Sequence, residues 1–140
     1  MNKTILLLAA GMLLAGCVNT SKVTVNESQL QHHRFVLESV NGKNIAPTQT
    51  PPELSFGEKM HVSGKMCNGF TGEGKLSEGA LTVKNMAMTQ MLCPDAELSK
   101  LDHTLSAMLA RGAQVDLTGD QLTLATADQT LVYKLADLMH

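Results

Sequence analysis

Aromatic residues are scarce in this chain of 140 residues, which contains three phenylalanines, one tyrosine and no tryptophan. Charge of one sign is not concentrated either, because 11 lysines and arginines stand against 13 aspartates and glutamates without forming a block. We therefore expect no nucleic acid as a partner. The main apolar stretch, residues 5–14, is too short to span a bilayer. With 44% hydrophobic residues the chain can form one ordinary core, which predicts a single globular domain.

Recognisable catalytic arrangements are also missing. No serine, cysteine or aspartate lies in a motif that ties a nucleophile to a base. Residues 69–75 read G-x-x-x-x-G-K, the beginning of a phosphate-binding loop, but Leu76 stands where such a loop needs serine or threonine for magnesium. We interpret these glycines as turns between short strands. We expect neither catalytic residues nor a cofactor, and a hydrolase with an unrecognised site is the less favoured alternative.

The N-terminus has the features of an export signal. Lys3 provides a positive start, an apolar stretch follows, and residues 14–17, Leu-Ala-Gly-Cys, resemble the bacterial lipoprotein box. In that box the cysteine is lipidated and becomes the first residue after cleavage. We predict a signal peptide over residues 1–16 and lipidation of Cys17, whose acyl chains would hold the protein on a membrane. The alternative is an ordinary signal peptide with an incidental cysteine.

The residues after this cysteine predict the location and the domain boundary. Val18 stands where an aspartate would resemble the inner-membrane retention signal, so we expect the outer membrane, with the protein facing the periplasm. Residues 18–30 are small and polar without strong periodicity, which is typical of a flexible tether. We predict that residues 17–30 form the lipidated cysteine and its tether, and that residues 31–140 form the domain, which we expect to be monomeric.

Apolar and polar residues alternate with period two through most of this domain, which predicts half-buried strands. The alternation is clear at residues 35–37, 54–56, 60–63, 81–83, 115–117, 122–124 and 131–135. One segment differs, because apolar residues recur three and four positions apart and predict an amphipathic helix over residues 94–111. This order predicts an α+β, β-rich fold: a single curved antiparallel sheet or half-open barrel of about seven to eight strands with the helix packed against it.

Cys67 and Cys93 are the other cysteines of the chain. An exported protein meets an oxidising compartment, so we expect a disulfide between them. Closing a loop of about 27 residues would stabilise the fold by about 3.5 kcal/mol. Two free thiols or a pair of metal ligands are the alternatives. Neither cysteine belongs to a C-x-x-C motif, so a structural bond is favoured over a redox catalyst.

Methionine is frequent, with nine residues in the chain. The side chains of Met60, His61, Met86, Met88 and Met91 are of the types that bind Cu(I). Their spacing does not enforce a site, because on an extended strand Met91 would point away from Met86 and Met88. Methionine more often fills irregular gaps in a core. We therefore expect no metal, and a periplasmic Cu(I)-binding protein is the alternative function.

A family resemblance is carried by several segments. Residues 64–72 read Gly-Lys-Met-Cys-Asn-Gly-Phe-Thr-Gly, residues 89–93 read Thr-Gln-Met-Leu-Cys, and the Phe-Val-Leu strand at 35–37 leads into Asn41-Gly42. Together with the helix and residues 122–124, they resemble the META domain family over essentially the whole chain. The family usually has tryptophan where Phe35 stands and often glycine where Met66 stands.

The resemblance implies a small β-rich domain with one helix, similar in shape to the pilot lipoproteins of secretion systems, with its two cysteines bridged and its production induced by stress. No catalytic residues are established for the family, so none carries over. The expected function is that of a non-enzymatic lipoprotein of the heat-shock and envelope stress response, which binds an envelope protein or an apolar ligand.

Loops beside a disulfide provide a rigid platform for contacts. Asn68, Phe70, Met88 and Met91 are therefore the candidate binding surface. The competing interpretation is that Phe70 and the methionines close the core.

Overall fold

The computed structural model describes residues 25–46 and 50–138. The predicted signal peptide, Cys17 and most of the predicted tether lie outside the described residues. The elements of the described part are α1 (Glu27–Leu30), β1 (His33–Val40), β2 (Lys43–Asn44), β3 (Glu53–Phe56), a 3-10 turn (Glu58–Met60), β4 (His61–Lys65), β5 (Gly69–Ser77), β6 (Ala80–Met88), α2 (Ala96–Arg111), β7 (Ala113–Thr118), β8 (Gln121–Ala125) and β9 (Thr130–Leu138). Neither helix of these two ranges has the length and apolar character needed to cross a membrane.

The strands form one antiparallel sheet that closes on itself. Each strand from β3 to β9 pairs with the next in the chain, and β1 pairs with β3 on one edge and β9 on the other. Eight strands therefore make a closed barrel, and β2 adds a short extra strand beside the end of β1. The predicted antiparallel sheet with one main helix is confirmed. The barrel is closed rather than half-open because the β1–β9 pairing satisfies the backbone groups of both edge strands.

The alternation of the strands places one face of each in the interior of the barrel. The rings of Phe35 and Phe56 meet edge to face there, with centroids 6.0 Å apart. The buried apolar residues of the strands are Phe35, Leu37, Leu54, Phe56, Val62, Phe70, Leu81, Val83, Ala113, Val115, Leu122, Leu124, Leu131 and Tyr133. Every alternating segment predicted from the sequence thus contributes to one core.

Helix α2 connects β6 to β7, where the two strands pair at only two positions. The Asp95 side chain caps its first turn by accepting hydrogen bonds from the amides of Glu97 and Leu98, at 2.9 and 3.3 Å. The helix ends at Arg111 and is followed by Gly112, whose φ of +106° suits a residue without a Cβ. The predicted helix is present, but it begins at Ala96 rather than at residue 94. Asp95 is the N-cap residue, so the first helical turn starts after it.

The interpretation of the glycines at 69–75 as turns is wrong, because they belong to the nine-residue strand β5. A Cβ at Gly72 would lie 2.4 Å from Val83 Cγ1, and a Cβ at Gly74 would lie 2.8 Å from Val62 Cγ2. Glycine is needed at these two positions because neighbouring strands leave no room for a side chain.

The folded domain also begins earlier than predicted. Val25 and Leu30 are buried in the core. Helix α1 begins with a capping box, in which the Asn26 side chain accepts from the Gln29 amide and the Gln29 side chain accepts from the Asn26 amide. Small, polar residues without strong periodicity predict a tether here. Two apolar side chains are nevertheless enough to attach them to the barrel.

Candidate functional site

Two segments lie side by side at one end of the barrel. The first follows β4 and contains Cys67, and the second, residues 89–95, connects β6 to α2 and is here called the disulfide loop. The Cys67–Cys93 disulfide joins them, with Cα atoms 6.1 Å apart, so the predicted pairing is present in the structure. The amide of Thr89 also donates to the carbonyl oxygen of Gly69 at 3.0 Å, which fixes the start of the loop.

Asp102 is buried beside this disulfide, with 3% of its surface exposed. Its carboxylate accepts hydrogen bonds from the amides of Cys67 at 3.0 Å and Asn68 at 3.1 Å, and from the Asn68 side-chain Nδ2 at 3.0 Å. Hydrogen bonds to an ionised acceptor are about twice as strong as neutral ones. Asp102 therefore attaches the middle of α2 to the segment that contains Cys67.

Asp102 is not among the residues predicted from the sequence, although its position contains a signal. Asp102 lies one helical turn after Leu98 and nearly one turn before Leu105, within the apolar stripe of the predicted helix. A carboxylate on a buried face is uncommon unless its charge has partners.

Asn68 holds the disulfide loop from inside. Its Oδ1 accepts from the amide of Met91 at 2.6 Å and from the hydroxyl of Thr89 at 2.9 Å. Its Nδ2 donates to Asp102 and to the carbonyl oxygen of Met91, at 3.0 and 3.4 Å. Since a side-chain amide offers two donors and two acceptor sites, the hydrogen-bonding capacity of Asn68 is fully used. Asn68 was predicted to form part of a binding surface, but it is a buried support for the loop.

The loop presents two apolar side chains to solvent. Leu92 is 99% exposed and Met91 is 62% exposed, and among residues 25–46 and 50–138 these are the exposed large hydrophobic side chains. We call this pair the apolar tip. The backbone beneath it is fixed by Asn68 on one side and the Cys93 disulfide on the other. Leu92 was not among the predicted surface residues.

The other two predicted surface residues lie nearer the core. Phe70 is buried, and a Cβ at Gly64 would lie 3.1 Å from its ring, so the ring occupies the space that this glycine leaves. Met88 is half-buried opposite Phe70 on the neighbouring strand, and both line a shallow depression of about 500 Å³. Of the four predicted residues, Met91 is the one that is exposed.

The five side chains considered for Cu(I) occupy different environments. Met60 is buried in the core, whereas the adjacent His61 is exposed. Met86 is half-buried, and its sulfur accepts a hydrogen bond from the Ser106 hydroxyl at 3.6 Å. Met91 belongs to the exposed apolar tip. This distribution between core, strand surface and loop does not favour a shared metal site.

Comparison with known proteins places this architecture in a family, because residues 28–137 match the META domain. The chain belongs to the META domain family. One relative of this META domain protein is heat shock protein HslJ of Escherichia coli strain K12. The two sequences are 61% identical over 140 residues, which is the full length of both chains.

Two solved structures are similar to this META domain. An NMR structure with 66% sequence identity has a TM-score of 0.77, and it covers 84% of this chain and 100% of its own. An NMR structure of a protein from Burkholderia xenovorans has a TM-score of 0.63 at 19% identity, and covers 94% of this chain and 99% of its own. The second likeness concerns the fold alone. The first shows that a similar chain, covering 84% of this one, folds by itself.

The departures of this META domain from the family pattern both lie in the core. Phe35 contacts Phe56 inside the barrel, and Met66 is buried directly before Cys67. Both positions are therefore occupied by side chains that contribute to packing rather than by surface residues.

Proposed function

We propose that this META domain protein, a relative of a heat shock protein, is a non-enzymatic lipoprotein of the outer membrane that binds an envelope protein through its apolar tip. The supporting observation is that Met91 and Leu92 are exposed on a loop whose backbone is held in place. An exposed leucine alone is unremarkable. An exposed pair on a fixed loop is the arrangement of a binding site, because little conformational entropy remains to be lost when a partner covers it.

The polar groups beneath the tip support binding rather than catalysis. Asn68 uses its donors and acceptors within the protein, and Asp102 accepts three N–H groups. A catalytic carboxylate needs access to a substrate proton. Asp102 instead faces the backbone of the neighbouring segment and has 3% of its surface exposed.

The convex shape of the tip favours a protein over a small apolar ligand, since a protruding side chain needs a partner with a pocket. The position of the tip also favours a protein over the membrane of the proposed anchor. Residues 31 and 32 contact the end of β3 and the turn after it. The backbone amide of His32 donates to the Phe56 carbonyl oxygen at 2.6 Å, and the backbone amide of Lys59 donates to Gln31 Oε1 at 3.1 Å. Strand β4 leads from that turn to the disulfide, so the tip lies at the opposite end of the barrel from α1.

The partner is tested by crosslinking in cells. A photoreactive amino acid is placed at Leu92 or, as a control, at Glu58, an exposed residue at the α1 end. We expect a discrete protein adduct from position 92 alone. Purified unlabelled domain should suppress this adduct when added to permeabilised cells, whereas the Leu92→Ser domain should not. Three outcomes would contradict the proposed interface. They are lipid adducts from position 92, equal adducts from positions 92 and 58, and equal competition by the unmodified and the Leu92→Ser domain.

The anchor is tested separately on the N-terminal residues. The full-length chain and a Cys17→Ser variant are produced with radiolabelled palmitate, and their membranes are separated by density. We expect label and outer-membrane location for the unmodified chain and neither for the variant. Unlabelled protein released from cells by osmotic shock would overturn the lipoprotein assignment while leaving the binding proposal open to the crosslinking test.

A further inference from the structure

Three groups that bind metal ions meet beneath the disulfide loop. The sulfur atoms of Cys67 and Cys93 and a carboxylate oxygen of Asp102 all lie within 4.8 Å of one another. The bond between the sulfurs occupies both of them in the oxidised protein. We infer that the reduced protein binds one thiophilic divalent cation, such as Zn²⁺, through Cys67, Cys93 and Asp102, and that disulfide formation releases it.

The distances suit such a cation once the sulfur–sulfur bond is broken. Zinc takes thiolate ligands at about 2.3 Å and carboxylate oxygens at about 2.1 Å in a tetrahedron, which places the ligand atoms about 3.5 Å apart. The two sulfur atoms must therefore move apart from bonding distance to about 3.5 Å, and the carboxylate oxygen, which lies within 4.8 Å of both, must move closer by about 1 Å. The cysteine Cα atoms, 6.1 Å apart, leave room for this through side-chain rotation. Because three protein ligands are present, a water molecule would take the fourth position.

Asp102 can make room for a cation. Its carboxylate accepts from three N–H groups, and the amide of Asn68 is shared between its two oxygens, at 3.1 Å from each. A cation would take the acceptor position that this shared amide gives up at Oδ2, since the amide keeps its bond to Oδ1. The second hydrogen of Asn68 Nδ2 is shared between the Met91 carbonyl oxygen at 3.4 Å and Cys93 Sγ at 3.8 Å, and it would turn toward that sulfur once it is a thiolate. Both cysteines are half-buried rather than enclosed, so a reductant and an ion can reach them.

The proposed cycle balances in electrons and protons. A dithiol of an oxidoreductase supplies two electrons and two protons, breaks the Cys67–Cys93 bond and becomes a disulfide itself. The divalent cation then displaces the two thiol protons to solvent. In the reverse direction, a disulfide oxidant accepts two electrons from the cysteine pair, the bond re-forms and the cation leaves. The cycle is independent of the proposed partner at the apolar tip.

The test uses residues 18–140, which include the whole described domain; a 66% identical chain that covers 84% of this one folds by itself. Cd²⁺ is titrated into the reduced and the oxidised domain while thiolate-to-cadmium charge-transfer absorbance is followed. We expect one Cd²⁺ per reduced chain, none per oxidised chain, and at least about 10- to 100-fold weaker binding by Asp102→Asn. Glu97→Gln, which removes an exposed carboxylate of the same helix, should bind as the unmodified domain does.

Two further measurements cover a variant that fails to fold. In the unmodified reduced domain, the carbon-13 resonance of the Asp102 carboxyl should move when Zn²⁺ is added and return on oxidation. Circular dichroism should show that the reduced domain retains its sheet. The inference is overturned by an unchanged Asp102 resonance, by one cation shared between two chains, by equal binding to the oxidised domain, or by unfolding on reduction.

Discussion

Tyr133 provides the most direct test of how the barrel interior is built. Its side chain is fully buried, its cross-strand neighbours are Leu37 and Leu122, and its hydroxyl has no hydrogen-bond partner among residues 25–46 and 50–138. A buried polar group without a partner costs about 1–3 kcal/mol. Replacing Tyr133 with Phe removes the hydroxyl and keeps the ring. We therefore expect the free energy of unfolding to stay equal or to increase by about 1 kcal/mol.

The same burial predicts a dependence on alkaline pH. Desolvation raises the pKa of the Tyr133 hydroxyl far above its usual value of 10.0. Below pH 10 the phenol is neutral in both states, so its ionisation does not affect stability. Above that pH the unfolded chain loses this proton and the folded chain retains it, so stability falls by about 1.4 kcal/mol per pH unit until the folded-state pKa is reached. The Tyr133→Phe variant lacks this contribution.

The assay benefits from the sparse aromatic composition. Tyr133 is the single tyrosine and the chain has no tryptophan, so the near-ultraviolet absorbance of phenolate reports this residue alone. Urea unfolding of both proteins at several pH values above 9 gives the difference in stability, and lysine titration cancels between them. Phenolate absorbance that appears in the folded domain with an ordinary pKa would refute the reasoning. Loss of more than about 2 kcal/mol in Tyr133→Phe would also refute it, because the hydroxyl would then have a partner.

Three further predictions concern the loop and the sheet, each checked by urea unfolding. Asp102→Ala should destabilise the domain by about 3–5 kcal/mol, because it leaves buried N–H groups without an acceptor; a loss below 1 kcal/mol would contradict this role. Gly74→Ala should cost about 1–3 kcal/mol, since its Cβ would lie 2.9 Å from Met60 O, whereas Gly69→Ala should cost much less because its Cβ meets nothing closer than 3.8 Å. Met91→Ser should change stability by less than about 0.5 kcal/mol, and the half-buried Met88→Ser by about 1–2 kcal/mol; equal losses would show that the apolar tip is part of the core.

Local periodicity was sufficient to predict α2 and most strands of this protein, but not α1 or β5. A strand exposes alternate residues to each face and a helix brings every third or fourth residue together, so the pattern of apolar residues reports secondary structure directly. The helix ending at Arg111 and the strands around Phe35, Phe56 and Leu124 follow from that relation. The pairing of Cys67 with Cys93 also followed from the sequence, because the one other cysteine, Cys17, lies in the predicted lipoprotein box.

Only the tertiary structure decided which of two chemically similar residues is buried. Leu92 is exposed and Leu105 is buried, because one lies on a loop held away from the barrel and the other faces it. The glycines of β5 were mistaken for turns because glycine fits both a turn and a crowded strand, and the neighbouring Val62 and Val83 decide between them.

Closure of the barrel and the position of Asp102 likewise depend on long-range contacts. The β1–β9 pairing joins residues about a hundred positions apart, and the Asp102 carboxylate meets amides 34 and 35 positions earlier in the chain. Periodicity describes the face on which a residue lies but not the segment that this face meets. The sequence therefore determined the elements and their apolar faces, while packing of those faces against one another decided which polar groups became supports and which apolar side chains remained exposed.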